Sequence, residues 1–165
     1  MDVKRELLAV RFIFAAFATA LIFSGATAIF PLEGLRFLAP LYSPGSLVHQ
    51  VWPDMADWLS LVRTALEQTY ATYPFLAYGY DWLAFGHFII AIPFILAIRD
   101  PMRNTWVVPF GLAACLLVLP HALLFGAIRG IPLFWRLVDT LFGVGGLLLL
   151  LLIRGRMLRL QALAT

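Results

Sequence analysis

The stretch TWVVPFGLAACLLVLPHALLFGAIRGIPLFWRLVDTLFGVGGLLLLLLI, residues 105–153, decides how this chain must be read. It holds two long apolar runs, 105–127 and 131–153, parted only by Ile128, Arg129 and Gly130. A helix crosses the hydrocarbon of a bilayer with about 20 mainly apolar residues, because every backbone polar group has to find its partner inside the segment. Both runs qualify. Working outward, residues 82–98 form a shorter run that should begin a little before Trp82, and residues 8–30 form another. The expected fold is therefore all-α, a polytopic transmembrane bundle of four helices.

Composition agrees. Of 165 residues, 62% are hydrophobic and 13% charged, with a mean hydropathy of +0.92, whereas soluble domains are about 45 to 50% apolar and about 25% charged. The lipid bilayer is the solvent this composition calls for. No shift in composition marks a linker, so residues 1–165 read as one domain.

The net charge of +3 sits where topology wants it and not in a nucleic-acid patch. Lys4, Arg5 and Arg11 lead the first run, Arg99 and Arg103 follow the second, and Arg154, Arg156 and Arg159 follow the fourth; the other loops carry only Arg36, Arg63 and Arg129. Under the positive-inside rule both termini and the loop 99–104 lie in the cytoplasm. A rival reading takes Lys4 and Arg5, the apolar run and Ala26-Thr27-Ala28 as a cleaved signal peptide. Against it, Arg11 interrupts the start of the run, and the run is long enough to span. Ala16, Ala20, Ser24 and Ala28 recur every fourth residue and offer a smooth face for close helix packing.

Residues 31–81 make a long outer loop, and from Asp54 it carries a helical period. Met55, Trp58, Leu59, Val62, Ala65, Leu66, Thr69, Tyr70 and Tyr73 fall on one side; Asp57, Ser60, Arg63, Thr64, Glu67 and Gln68 fall on the other. Asp54 is a plausible start and Pro74 a plausible stop. Such an amphipathic helix would lie at the membrane surface or across the mouth of the bundle as a lid or a plain structural cover.

Ionisable side chains inside a membrane cost about 2.5 to 3.5 kcal/mol each at the helix centre on insertion scales, so each invites a functional reading. Asp81 stands at the rim of the second span, His87 roughly 8 Å inside it, His121 about 9 Å from the outer end of the third, and Arg136 and Asp139 roughly 8 to 12 Å into the fourth. All fall in the outer half. Arg136 and Asp139 are three apart and can pair, which would serve helix packing as readily as function; each histidine alone would most simply bond a neighbouring helix. Pro120, beside His121, removes a helix hydrogen bond and frees the carbonyl of Leu116.

Cys115 is the single cysteine, so no intrachain disulfide or CxxC pair can form. Phosphate loop, dinucleotide fingerprint, HExxH and nucleophile elbow are all missing, and no motif assigns an enzymatic reaction. The glycine run Phe142-Gly143-Val144-Gly145-Gly146 lies inside a span, where it reads as a notch for helix packing.

The segments YPFLAYGYDWLAFGHFIIAI, RDPMRNTWVVPFG and IRGIPLFWRLVDTLFG together resemble small, uncharacterised bacterial four-helix membrane proteins, over roughly the second half of the chain. That resemblance implies a bacterial inner membrane and no activity. A looser one, resting on four spans, a long first loop and polar residues at membrane depth, is to the EXPERA group, which includes sterol isomerases and a sterol-associated receptor. The acidic residues typical of that group's second span do not align, since His87 stands there, and no catalytic residue carries over.

Three functions follow as expectations. The first is an outer-facing polar pocket that binds or passes a small amphiphile or lipid, formed by His87, His121, Arg136, Asp139 and Asp81 and needing no cofactor. The second is a noncatalytic subunit or assembly factor with a membrane protein partner. The third is haem or metal binding through His87 and His121.

Overall fold

The computed structural model describes residues 3–164; Met1, Asp2 and Thr165, counted in the single domain above, lie outside the described residues. Seven helices follow one another: α1 Val3–Ile29, α2 Pro31–Tyr42, α3 Leu47–Val51, α4 Pro53–Thr72, α5 Tyr78–Arg99, α6 Val107–Ile128 and α7 Leu133–Ala164, with a short 3-10 turn, Pro74–Ala77, ahead of α5. The described chain has no strand, and the fold is all-α. Four segments are long and apolar enough to cross a membrane: Val3–Ile29, Pro74–Arg99, Val107–Ile128 and Leu133–Leu163. Their outward faces are apolar too, with Leu117, Leu124 and Leu141 all exposed, an arrangement only lipid can solvate. The chain is a multi-pass integral membrane protein.

The second span begins a helical turn before Trp82, in line with the sequence reading, and Pro74 opens the 3-10 turn that leads into it. The end of the last span differs. The last helix runs past residue 153 to Ala164, because Ile153, Met157 and Leu160 continue a buried stripe along it. At 1.5 Å per residue its 32 residues measure about 48 Å, well beyond an apolar layer of about 30 Å.

The described chain falls into two compact units, one within Met1–Ala20 and Ile90–Thr165 and the other Leu21–Ile89. In the first, α6 and α7 pack along their length as an antiparallel hairpin turned at Gly130, whose φ of 71° suits glycine. Close approach is made by missing side chains. A Cβ on Gly143 would lie 2.8 Å from the Cys115 carbonyl oxygen, and one on Gly146 would lie 2.6 Å from Cys115 Sγ. One on Gly111 would meet Leu150 at 2.7 Å. The notch expected at residues 142–146 is thus a backbone-to-backbone contact. Phe17 stacks on Phe94 with ring centroids 4.4 Å apart, and Phe14, Phe110 and Phe142 surround that pair. Val10, Phe14, Phe17 and Leu21 are the large buried side chains of α1, whereas Ala16 and Ala20 are exposed. The small-residue face is not the packing face here, because the large aromatics gain more contact by turning inward.

Two cations near the basic end of this unit find partners within it. Arg156 pairs with Glu6 at 2.9 Å. Arg11 Nη2 donates to the carbonyl of Arg99, the last residue of α5, at 3.1 Å, a group that a helix end leaves without an internal partner.

In the second unit the long first loop is itself helical. Ser46 caps α3 by accepting from the His49 N–H at 3.2 Å, and α4 packs against α2 and α3. The amphipathic helix expected from Asp54 is present, with Pro53 in its first turn and its end at Thr72, ahead of Pro74. No side chain caps its start. Most of the expected face is packed: Met55, Trp58, Leu59, Val62, Leu66, Thr69 and Tyr70 are half-buried and Ala56 is buried, while Asp57, Thr64 and Gln68 of the polar face are exposed. Ser60, Arg63 and Glu67 of that face are half-buried as well, and Ala65 is exposed. Arg36 of α2 binds Glu67 at 3.0 Å and so ties the polar side of α4 to α2. Gly25 of α1 meets α5 closely, where a Cβ would lie 2.8 Å from Phe88 and 3.1 Å from the Ala84 carbonyl oxygen.

Gly143→Ala should therefore destabilise the α6–α7 hairpin by about 1–3 kcal/mol, the usual cost of overpacking, since a backbone oxygen cannot move aside as a side chain does. Gly145→Ala, where nothing lies within 4 Å, should stay within about 0.5 kcal/mol. Unfolding of both variants in the same detergent reads the difference, and equal losses would refute the notch.

Candidate functional site

Three of the candidate residues belong to the first unit. Arg136 lies in the first turn of α7, about 5 Å along the helix at 1.5 Å per residue, nearer its end than the sequence boundary implied. Its stem crosses to α6 over Gly126, where a Cβ would come 2.6 Å from Arg136 Cγ. Its Nη1 donates to the Leu123 carbonyl at 3.1 Å. Nε is buried without a hydrogen-bond partner.

Asp139, one turn further along α7, is exposed and makes no ion pair with Arg136 within 4.0 Å. The intrahelical pair that their spacing permits gives way to the bond across the hairpin, because Gly126 opens a path for the guanidinium toward α6. His121 of α6 is exposed, with its ring 4.8 Å from that of Phe125 on the next turn. This end of the hairpin thus carries a cation, a carboxylate and an imidazole, none neutralised by another.

The other two candidates belong to the second unit. His87 Nδ1–H donates to the Leu83 carbonyl of its own helix at 2.8 Å, which leaves Nε2 as the available ring nitrogen. Asp81 is exposed in a recess of about 270 Å³ with Tyr78, Trp82 and Phe85. The rings of Tyr78, Trp82 and Phe85 meet edge to face, at 5.9 and 5.6 Å between successive centroids, as interfacial aromatics commonly do. Close by in the same unit, the Tyr70 hydroxyl is buried without a partner. Burial first, then the charges of Tyr80, Glu33 and Asp81, push its ionisation above the usual phenol value.

Among the described residues no cluster of three or more His, Cys, Asp or Glu side chains could hold a metal ion. Sequence reasoning missed Gly126 and the Leu123 carbonyl as the seat of Arg136. The available signal was positional: residues 126 and 136 mirror one another about the turn at Gly130 and Ile131, so an antiparallel hairpin sets the glycine opposite the arginine. Comparison of the chain with protein-family models, with curated proteins and with solved structures returns no match.

The raised Tyr70 has a measurable consequence. Because folding holds the proton on, its contribution to stability is complete below the usual phenol value of about 10 and is lost as the pH rises above it. Phenolate absorbance of the folded protein minus that of Tyr70→Phe should show one late-ionising tyrosine, and Asp81→Asn should bring that ionisation down. A Tyr70 signal that titrates with exposed tyrosines would contradict the burial.

Proposed function

We propose that this integral membrane protein binds a small amphiphile whose headgroup is an anion or a strong hydrogen-bond acceptor, at the end of the α6–α7 hairpin that carries Arg136, Asp139 and His121. The observation that supports this most is the state of Arg136. It is half-buried on an apolar helix, its Nε has no partner, and Asp139 leaves its charge unneutralised. A charge kept at membrane depth is costly, and a cation serving helix packing alone would be expected to close onto the carboxylate three residues away. A ligand headgroup taken up by the guanidinium accounts for the open arrangement. Asp139 then orients donors of the same headgroup, and His121 adds a hydrogen bond beside the Phe125 ring.

Both termini and the loop 99–104 are placed in the cytoplasm under this reading, on the strength of the arginines at those positions, so the Arg136 end faces outward. Asp81 and His87, on the second unit, are carried as further candidates for the same class of ligand, each with an available polar atom.

The test is mass spectrometry of small molecules that co-purify with the protein in mild detergent. The wild type should retain an amphiphile, and Arg136→Leu and Asp139→Asn should lose most of it while keeping helical content and a monodisperse elution profile. Retention of the ligand by both variants would overturn the proposal, as would loss of fold in step with loss of ligand. A wild type that carries no small molecule but a stoichiometric protein partner would replace it with the subunit reading.

A further inference from the structure

At the opposite, basic end of the same hairpin the structure holds a second cavity that the reading above does not use. It measures about 540 Å³ and lies between α6 and α7 in the first unit. Volumes of this order are typical of sites that hold a small ligand. Its wall is mostly apolar, with buried Met157 of α7, half-buried Leu112 and exposed Leu116 of α6, while Thr105, Arg154 and Gln161 bring polar groups to it. Leu116 and Thr105 are eleven residues apart, or about 16 Å at 1.5 Å per residue, so the groove runs from hydrocarbon depth toward the start of α6. Trp106, exposed at that start, stands where an interfacial aromatic belongs.

The chemistry of the groove grades from oily to cationic along its length, and the cation is available. Arg156, two residues on, is held by Glu6 at 2.9 Å, and Arg11 is held by the Arg99 carbonyl. Arg154 is exposed and makes no hydrogen bond or ion pair with the described residues. Among the described residues no acidic side chain lines the groove.

We infer that this groove is a binding site for one anionic phospholipid of the adjoining leaflet, with an acyl chain laid along Leu112 and Leu116 and the phosphate taken by Arg154. Charge complementarity selects this occupant. A second apolar helix would leave the Arg154 guanidinium facing hydrocarbon, whereas a phosphodiester neutralises it at headgroup level and accepts from Thr105 and Gln161.

Native mass spectrometry of the full chain, exchanged into micelles containing phosphatidylglycerol or phosphatidylcholine, tests it. The wild type should retain one phosphatidylglycerol per chain in preference to phosphatidylcholine. Arg154→Gln should weaken that retention about fivefold or more, while Arg159→Gln, equally basic but outside the groove, should leave it unchanged. Ala113→Phe, which fills an exposed position of the groove wall, should reduce retention of both lipids. Circular dichroism confirms that each variant is folded, and the two independent variants keep the test decisive should one of them misfold. Equal losses for Arg154→Gln and Arg159→Gln would show a diffuse basic surface and overturn the site. So would undiminished binding by Ala113→Phe, or a lipid-free dimer that shows the groove to be filled by a second copy.

Discussion

Everything in the first unit depends on how closely the backbone of α7 can approach that of α6. Lipid tails are as apolar as leucine, so burial gives two membrane helices little reason to associate, and what holds them is dispersion between atoms in direct contact. Gly143 and Gly146 supply that contact by exposing main chain to Cys115, and Gly111 does the same for Leu150 on the opposite helix. With the hairpin drawn together, Phe94 fits between Phe17 and Phe110, and an aromatic cluster becomes the centre of the unit. The same economy at Gly126 gives Arg136 its route across the hairpin. Shape and charge are therefore arranged by one device, a glycine placed opposite a bulky neighbour.

The two ends of the hairpin treat their charges differently. At the basic end Glu6 and the terminal carbonyl of α5 answer Arg156 and Arg11, so the protein satisfies two of its own cations, though not Arg154, where headgroups and water would also have served. At the other end, among the described residues, Arg136 has a backbone carbonyl as its partner and Asp139 makes no ion pair. Stability alone would favour the reverse allocation, since an ion pair gains most where water is scarce. The inversion is what makes the Arg136 end chemically interesting.

The membrane class and the four spans were legible because length and hydropathy act over some twenty residues and need no knowledge of neighbours. The α4 period was legible for the same reason, down to Pro74 as its limit. The ion pair on its polar side was not, because Glu67 has a partner only when Arg36 of α2 stands opposite, and α2 lies in a segment that the sequence presents as part of the long outer loop. At the candidate site, residue identities and approximate depths could be read, but partners could not. Spacing alone joins Arg136 to Asp139; only the register of the hairpin, which brings Gly126 and Leu123 alongside, tells which way the guanidinium turns. The small-residue stripe of α1 failed for a related reason, in that periodicity marks a face without saying whether it meets protein or lipid.

The length of α7 has a consequence for where the molecule rides in its membrane. Past the apolar run, the helix continues without a break and carries Arg154, Arg156 and Arg159 at successive heights, about 8 Å from first to last at 1.5 Å per residue. A thin bilayer brings its headgroups level with the first of these, and a thick one with the last, and long arginine stems can lean to either side of the boundary. The three arginines thus mark a graded series of heights at which headgroups would meet the helix, in place of a single level.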